Sequence, residues 1–415
     1  METTASRPQQ VQLDLFSAVL HSYTAERGGR VDNAALYDQV ATRAGIDPDE
    51  FSRKTPVGRD QQPHSLLARA VRWHQQTLKH AGVLERVDGE RGVWQLTRPA
   101  SKDLDQINSG VSVVGFSTEL GVAILGSCDT VFSQIDAPVC LCLCSPPYPL
   151  KKARNYGNPS ETEYVDWVVR HLEPIVKNLV RGGSIALNIS NDIFLPGGAR
   201  SLYRERLLIA LHDRLGLYKV DELIWSNPSK PPGPVRYASI ERTHLNNGYE
   251  PIYWLTNDPR SLRSDNRRVL MAHSERHLKL IAQGGEQRHG EFSDGAYCVH
   301  PGRFGNQTEG KIPRNVLTFG HSCADQRQYK RDARAAGLPA HGAPMPLSLA
   351  SFLVEYLSQP GDLIVDPFSG SFTTAKAAEL LGRRWLCTEI MVQYVLGAAN
   401  RFRAFNGFHQ HLLAA

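Results

Sequence analysis

Apolar positions recur at helical spacing over residues 11–26, 33–44 and 66–81. The pattern then changes to alternation over 80–97 (HAGVLERVDGERGVWQLT), where Asp88-Gly89 divides two short apolar-polar runs in the manner of a hairpin turn. Three helices closed by a hairpin predict a winged helix-turn-helix domain over 1–98. Its third helix carries Arg69, Arg72, His74 and Lys79, side chains suited to phosphate and groove contacts on a recognition helix. Winged domains also serve as protein interfaces, so both uses stay open. The polar stretch 99–110 (PASKDLDQINSG) reads as a linker. Beyond it, strands and helices alternate: an apolar strand over 135–144, an amphipathic helix over 163–181 and a strand over 183–189. Near the far end a helix over 347–359, a strand over 363–365, a helix over 373–381 and a strand over 385–388 follow. Such alternation predicts an α/β fold, a mainly parallel sheet with helices on both faces.

Composition narrows this picture. At roughly 150 residues per domain, 415 residues imply two or three domains, and 41% hydrophobic residues excludes a wholly disordered chain. No apolar run approaches the roughly 18 residues of a membrane span, and the first ten residues (METTASRPQQ) lack a signal-peptide pattern. A cytosolic chain with no membrane partner is expected. Of seven cysteines, Cys140, Cys142 and Cys144 alternate so that all three would share one strand face, which suggests reduced, buried thiols. CxxC spacing is absent, so no metal is expected. The formal charge is +5, and residues 226–320 hold thirteen Lys and Arg against nine Asp and Glu, nearly the whole excess. This stretch is rich in Gly, Pro, His, Asn and Tyr and lacks clean periodicity, which suggests loops carrying polar contacts between two structured halves, 111–225 and 321–415.

Two motifs carry candidate chemistry. Asp366-Pro367-Phe368-Ser369-Gly370-Ser371 follows the strand LIV and opens a helix at Thr373, so a tight turn and a helix N-terminus gather backbone N–H groups beside a carboxylate at a strand tip. Neither GxGxxG nor GK[ST] is present, which disfavours NAD and ATP. Glu389 ends the next strand, where a carboxylate can accept two hydrogen bonds from vicinal ribose hydroxyls. Ser145-Pro146-Pro147-Tyr148 likewise follows an apolar strand. Two prolines fix the backbone and remove two donors, leaving the Pro146 carbonyl as a rigid acceptor beside Ser145 Oγ. Together these acceptors suit an exocyclic amino group, and the Tyr148 ring supplies a flat stacking face.

The two motifs together resemble those of the amino-group (cytosine-N4 and adenine-N6) DNA methyltransferases, whose hallmarks are (D/N/S)PP(Y/F/W) and DPFxGSGTT. The order found here, with the Ser-Pro-Pro-Tyr motif first and the glycine loop last, is that of the beta class, and SPPYPLKKARNYGN is especially similar to the PvuII-type cytosine-N4 enzymes. The winged region resembles the amino-terminal domain of Mrr-type restriction proteins over residues 78–86 and 91–97. The resemblance implies a Rossmann-like S-adenosylmethionine-dependent fold, no metal, and methyl transfer to the amino nitrogen of a flipped base in double-stranded DNA. Ser145 in place of Asp or Asn favours cytosine N4, with adenine N6 the alternative. Ser145, Pro146, Pro147 and Tyr148 would be catalytic, and Asp366, Pro367, Phe368, Gly370, Ser371, Thr373, Glu389 and Asp129 would hold the cofactor. Phe368 would pack near the adenine, and LGSCD at 125–129 stands where the family has a further cofactor contact. WSNPSK at 225–230 and YEPIYWL at 249–255 match the strand pair beside the target base, with Trp225 and Tyr253 read as core. Target recognition would fall to 226–320, with Arg263, Arg267, Arg268 and Arg303 among the candidate DNA contacts. Phe372 stands where the family has glycine, so its side chain must point away from the cofactor or cover it. A homodimer, frequent in the beta class, and association with the nucleoid are further expectations. Methyl transfer to an RNA or protein amide, and a winged-helix regulator with an inactive enzyme domain, are the competing readings.

Overall fold

The computed structural model describes residues 15, 18–23, 26, 29–57, 62–80, 83–97, 106–108, 110–150 and 157–412. In the amino-terminal region, helices Asn33–Ala44, Pro48–Ser52 and Leu66–His80 pack with a three-stranded sheet ordered Arg30–Asp32, Val93–Leu96, Leu84–Arg86. Asp32 starts the first of these helices by accepting the Ala34 and Ala35 N–H groups at 2.8 and 2.9 Å, and Gly45 ends it at a φ of 64°. Residues 15 and 18–23 of the helix expected over 11–26 are helical, 11–14, 16, 17, 24 and 25 lie outside the described residues, and Glu26 stands in a bend rather than a helix. A hairpin absent from the periodicity reading, Lys54–Val57 with Gln62–Ser65, is inserted before helix Leu66–His80. Arg69, Arg72 and Lys79 of that helix are exposed. His74 is not available as a DNA contact, because it is buried and desolvation pushes its pKa down to about 4.

The larger part of the chain builds a ten-stranded sheet. Five parallel strands form its middle, in the order Leu179–Asn188, Val139–Cys144, Leu363–Asp366, Arg384–Glu389, Gly121–Gly126. Tyr249–Thr256 and Tyr218–Ser226 extend one side antiparallel, and Val316–Thr318 closes it. Ser112–Ser117 and His409–Gln410 extend the other side. All six residues of Val139–Cys144 and all four of Leu363–Asp366 are buried, as parallel strands covered on both faces must be. Helices Tyr164–Lys177 and Tyr203–Leu215 cover one face, and Leu347–Leu357, Thr373–Leu380 and Val392–Ala399 cover the other. From Val139–Cys144 the chain winds outward through Tyr164–Lys177 to Leu179–Asn188. From Leu363–Asp366 it winds the opposite way through Thr373–Leu380 to Arg384–Glu389. The two innermost strands therefore flank a topological switch point, the place where open α/β sheets bind ligands outside the carboxyl ends of their strands.

Three local expectations are corrected. The helix expected over 163–181 stops at Lys177, because the Asn178 side-chain amide donates to the Ile135 and Pro174 carbonyls, and Leu179 begins the next strand. The linker expected over 99–110 does not hold at its end. Gln106 bridges to Met391, and buried Ile107 donates its N–H to the Ile390 carbonyl at 2.9 Å. Cys140, Cys142 and Cys144 do not share one face. The ladders to both neighbouring strands shift register between Val139 and Leu141, so Cys140 Sγ meets Asp362 at 3.1 Å while Cys142 and Cys144 contact each other at 3.9 Å.

Candidate active site

The loop after Leu363–Asp366 is tied to the end of the neighbouring strand. Ser369 N–H donates to the Thr388 carbonyl at 3.0 Å, Thr388 Oγ1 donates to the Pro367 carbonyl at 2.9 Å, and Ser369 Oγ donates to the Asp366 carbonyl at 2.9 Å. Asp366 Oδ1 accepts the Phe368 N–H at 3.0 Å. Gly370, at a φ of 50°, gives its N–H to Glu389 Oε2 at 2.7 Å, while Glu389 Oε1 accepts the Ile390 and Met391 N–H groups at 2.9 Å. A Cβ on Gly370 would come within 3.0 Å of the His341 ring, so the close approach as well as the φ favours glycine there. Burial raises both carboxyls to about 7, with Asp366 adding to the effect on Glu389.

Phe372 adopts the left-handed conformation, φ 58°, directly before helix Thr373–Leu380. Its fully buried ring lies 5.3 Å from Phe116, inside an aromatic cluster with Trp385 and Phe402. The side chain therefore points into the core, and aromatic packing holds a backbone conformation that glycine would adopt without strain.

A second layer braces the loop from behind. Arg401, almost fully buried, donates to the Ser371 carbonyl and, at 3.1 Å, to Thr373 Oγ1. Asp325 pairs with both Arg401 and Lys376, and the Arg401 guanidinium lies over the Tyr329 ring, 5.4 Å from its centre. This brace escaped the sequence reading, because its members come from three helical regions with no shared motif. An arginine set among Ala398, Ala399 and Phe402 was the sole signal.

The Ser-Pro-Pro-Tyr motif leaves the adjacent strand. The register pairs Val365 with Cys142, and Thr374 Oγ1 bonds the Leu143 carbonyl at 3.3 Å, so both motifs emerge from neighbouring strands at one sheet edge. The Tyr148 hydroxyl lies 2.9 Å from Ser145 Oγ and donates toward Asn188 Oδ1 at 2.9 Å and Glu250 Oε2 at 3.5 Å. Burial and the Glu250 charge raise the phenol well above its ordinary value. Lys230 meets Glu250 at 3.4 Å and Asp192 at 3.0 Å. Asn188, Glu250, Lys230 and Asp192 were not singled out from the sequence. Lys230 and Glu250 fall inside the quoted words WSNPSK and YEPIYWL, so neighbourhood to those words was the available clue.

Phe368 stacks on Trp167 at 5.2 Å and lies 6.1 Å from His171. Asp129, at the start of helix Cys128–Phe132, takes the Thr130 N–H at 2.9 Å and the Ser127 hydroxyl. Burial opposes its ionisation, but the Ser127 bond and nearby His171 outweigh that and hold its pKa below the usual value. Trp225 and Tyr253 are core, 4% and 2% exposed, as expected, and Trp225 Nε1 donates to the Phe319 carbonyl at 2.9 Å. Arg263 and Arg268 do not stand free for DNA. Arg263 pairs with Asp362 at 2.9 Å, and Arg268 Nη1 donates to the carbonyls of Arg263, Tyr356 and Ser358, pinning the segment to helix Leu347–Leu357. Arg267 pairs with Asp265 at the surface, and exposed Arg303 donates to the Cys298 carbonyl at 3.1 Å. The basic run at 151–154 and Tyr156 lie outside the described residues.

A DNA methylase family model matches residues 139–400, and an Mrr N-terminal domain model matches residues 14–105. The type II methyltransferase M.PvuII of Proteus hauseri is 30% identical over 299 residues, which cover 72% of this chain and 88% of that protein. The DNA adenine methyltransferase YhdJ of Escherichia coli (strain K12) is 23% identical over 296 residues, 70% of this chain and 85% of that one. Among solved structures, PvuII DNA methyltransferase (cytosine-N4-specific) aligns with a TM-score of 0.54 at 27% identity, covering 69% of this chain and 87% of that chain.

Asp366 and Glu389 titrate higher in the folded than in the unfolded chain, so their contribution to stability is full below 3.8 and 4.5 and is lost as pH rises to about 7. Denaturant unfolding at several pH values should show wild type gaining stability on acidification relative to Asp366→Asn; equal pH slopes for the two would contradict the burial of this carboxyl. Phe372→Gly relieves about 1 kcal/mol of left-handed strain but gives up a ring whose removal from a core costs about 3–5 kcal/mol. Its thermal midpoint should therefore fall, and an unchanged or raised midpoint would mean that the ring contributes little packing.

Proposed function

The chain belongs to the N6/N4 DNA methylase family, and from that premise we propose that it transfers a methyl group from S-adenosylmethionine to the exocyclic amino nitrogen of a flipped base in double-stranded DNA, cytosine N4 in preference to adenine N6. The observation that carries the reading is the adjacency of the two motifs at the switch point, on paired parallel strands. The glycine loop fits a cationic nucleoside ligand: it sets the backbone of a helix N-terminus beside two buried carboxyls, Asp366 and Glu389. Asp366 and the backbone of Pro367, Gly370, Ser371 and Thr373 would hold the methionine portion. Glu389 Oε2 accepts one backbone N–H and keeps capacity for a ribose hydroxyl. Phe368 and Asp129 would border the adenine. Bound there, the cofactor supplies an electrophilic methyl group on a sulfonium.

An amino nitrogen conjugated to a base ring is a weak nucleophile. Ser145 Oγ and the Pro146 carbonyl would accept its two protons and favour the tetrahedral nitrogen, so positioning and electrostatics provide the acceleration. Extrusion of the base from the duplex costs a few kcal/mol, and stacking on Tyr148 offsets part of it. Similarity to a cytosine-N4-specific enzyme supports cytosine, as does Ser145 at the head of the motif. In this reading residues 111–225 and 321–415 form the enzyme and 226–320 recognise the target. Exposed Arg69, Arg72 and Lys79 of the winged domain, with Trp73 40% exposed between them, support contact with a duplex.

Labelled cofactor and unmethylated plasmid DNA test the reading. Asp366→Ala should lose cofactor binding by at least about tenfold, the scale of a lost charge-assisted contact. Tyr148→Ala should keep cofactor binding and lose methyl transfer, and digestion of the wild-type product should release N4-methylcytosine. Label appearing in RNA or protein instead of DNA would overturn the assignment.

A further inference from the structure

Ser145, Tyr148, Asn188 and Glu250 meet where three adjacent strands end or begin: Val139–Cys144, Leu179–Asn188 and Tyr249–Thr256. We propose that Glu250 is the terminal acceptor of the proton that the amino nitrogen must shed, reached through the hydroxyls of Ser145 and Tyr148. The proposal rests on the amino-methylation reading and adds a route that reading lacks. When the nitrogen gains a methyl group it also gains positive charge, and one N–H bond must break. Ser145 Oγ takes that proton and passes its own to Tyr148 Oη, 2.9 Å away. Tyr148 in turn passes its proton to Glu250 Oε2 at 3.5 Å. Two O–H bonds are broken and remade, Glu250 gains one O–H bond, and nothing is oxidised or reduced.

The environment suits each group to its place in this chain. Tyr148 cannot hold the negative charge, because burial and the Glu250 carboxylate make its phenolate unfavourable; it transmits the proton and does not store it. Asn188 Oδ1, also 2.9 Å from the phenol, is a neutral acceptor that aims the hydroxyl but cannot keep a proton. Glu250 is a carboxylate within hydrogen-bonding distance of the phenol, at 3.5 Å, and can keep the proton. Burial is the largest influence on Glu250 and raises its pKa, which makes the protonated carboxyl accessible. Lys230 at 3.4 Å opposes the rise, and Asp192, which shares that lysine, adds to it. Glu250 is thus a positioning and proton-accepting residue that acts through Tyr148.

Single-turnover methylation of unmethylated plasmid DNA, in ordinary and deuterated water, tests the relay in the full chain. Wild type should show a solvent isotope effect. Tyr148→Phe, which keeps the ring, and Glu250→Gln, which keeps the shape, should each slow transfer about a hundredfold, the lower end of general-base effects. Both should keep wild-type cofactor binding, which also reports that they fold. The double variant should be no slower than the slower single one, and Glu250→Asp should recover part of the rate. Wild-type rate and isotope effect in Tyr148→Phe, additive losses in the double variant, or no isotope effect in an active wild type would overturn the relay alone. A wild-type chain that methylates no DNA would overturn the amino-methylation reading and the relay with it.

Discussion

The pairing of Val139–Cys144 with Leu363–Asp366 is the constraint on which the rest of the molecule depends. These strands lie far apart in sequence, yet each finds its main-chain partners in the other, with Leu141 opposite Ile364 and Cys142 opposite Val365. Both are buried throughout, so an unpaired peptide group in either would be left without water or protein as a partner. That requirement brings the last quarter of the chain into the middle of the sheet. It also makes the two crossovers diverge, one to each side, and a crevice at the point of divergence is the geometric result. The chemistry of both motifs follows from where those two strands stop.

Placing carboxyls at such a point has a cost that the loop partly offsets. Asp366 and Glu389 are 5% and 8% exposed, and burial disfavours their charged forms. Four backbone N–H groups converge on the pair, one on Asp366 and three on Glu389, and each favours the ionised state. The compensation is incomplete. A ligand that brings positive charge and hydroxyl donors would complete it, so the loop is poised for such a ligand in a way that an apolar turn would not be. The ion-paired layer behind, Asp325 with Arg401 and Lys376, fixes the Ser371 carbonyl and keeps the turn from relaxing into a less polar shape.

The alternating pattern, the strand-loop-helix character of both motifs and the winged helices were legible because each rests on local chemistry: a period, a turn residue, a pair of prolines. What stayed hidden depends on contacts between distant segments. The register shift at Cys140 arises from the needs of two neighbouring ladders, and no feature of VCLCLC announces it. Ile107 is one apolar residue in a polar stretch, and it docks because the Ile390 carbonyl at the sheet edge needs a donor. The charge of residues 226–320 was read correctly as a surplus, but counting does not reveal commitments. Arg263 is paired with Asp362, Arg268 with three carbonyls, and Lys230 with Asp192 and Glu250. These cations fasten the segment to the large sheet and its helices.

The same distinction applies to Tyr148. As a letter in a motif it reads as a flat face for a base, and a phenylalanine would serve that purpose equally. Its hydroxyl, however, sits within hydrogen-bonding distance of the one side-chain oxygen in the motif and of two polar groups from other strands. A buried phenol held by three oxygens is costly unless its proton has a defined direction, and Asn188 and Glu250 supply acceptors on one side while Ser145 stands on the other. The ring and the hydroxyl therefore answer to different demands: the ring offers a flat face, and the hydroxyl is held among polar groups from three adjacent strands. In the amino-methylation reading, a single side chain would then couple the orientation of the base to the removal of its proton.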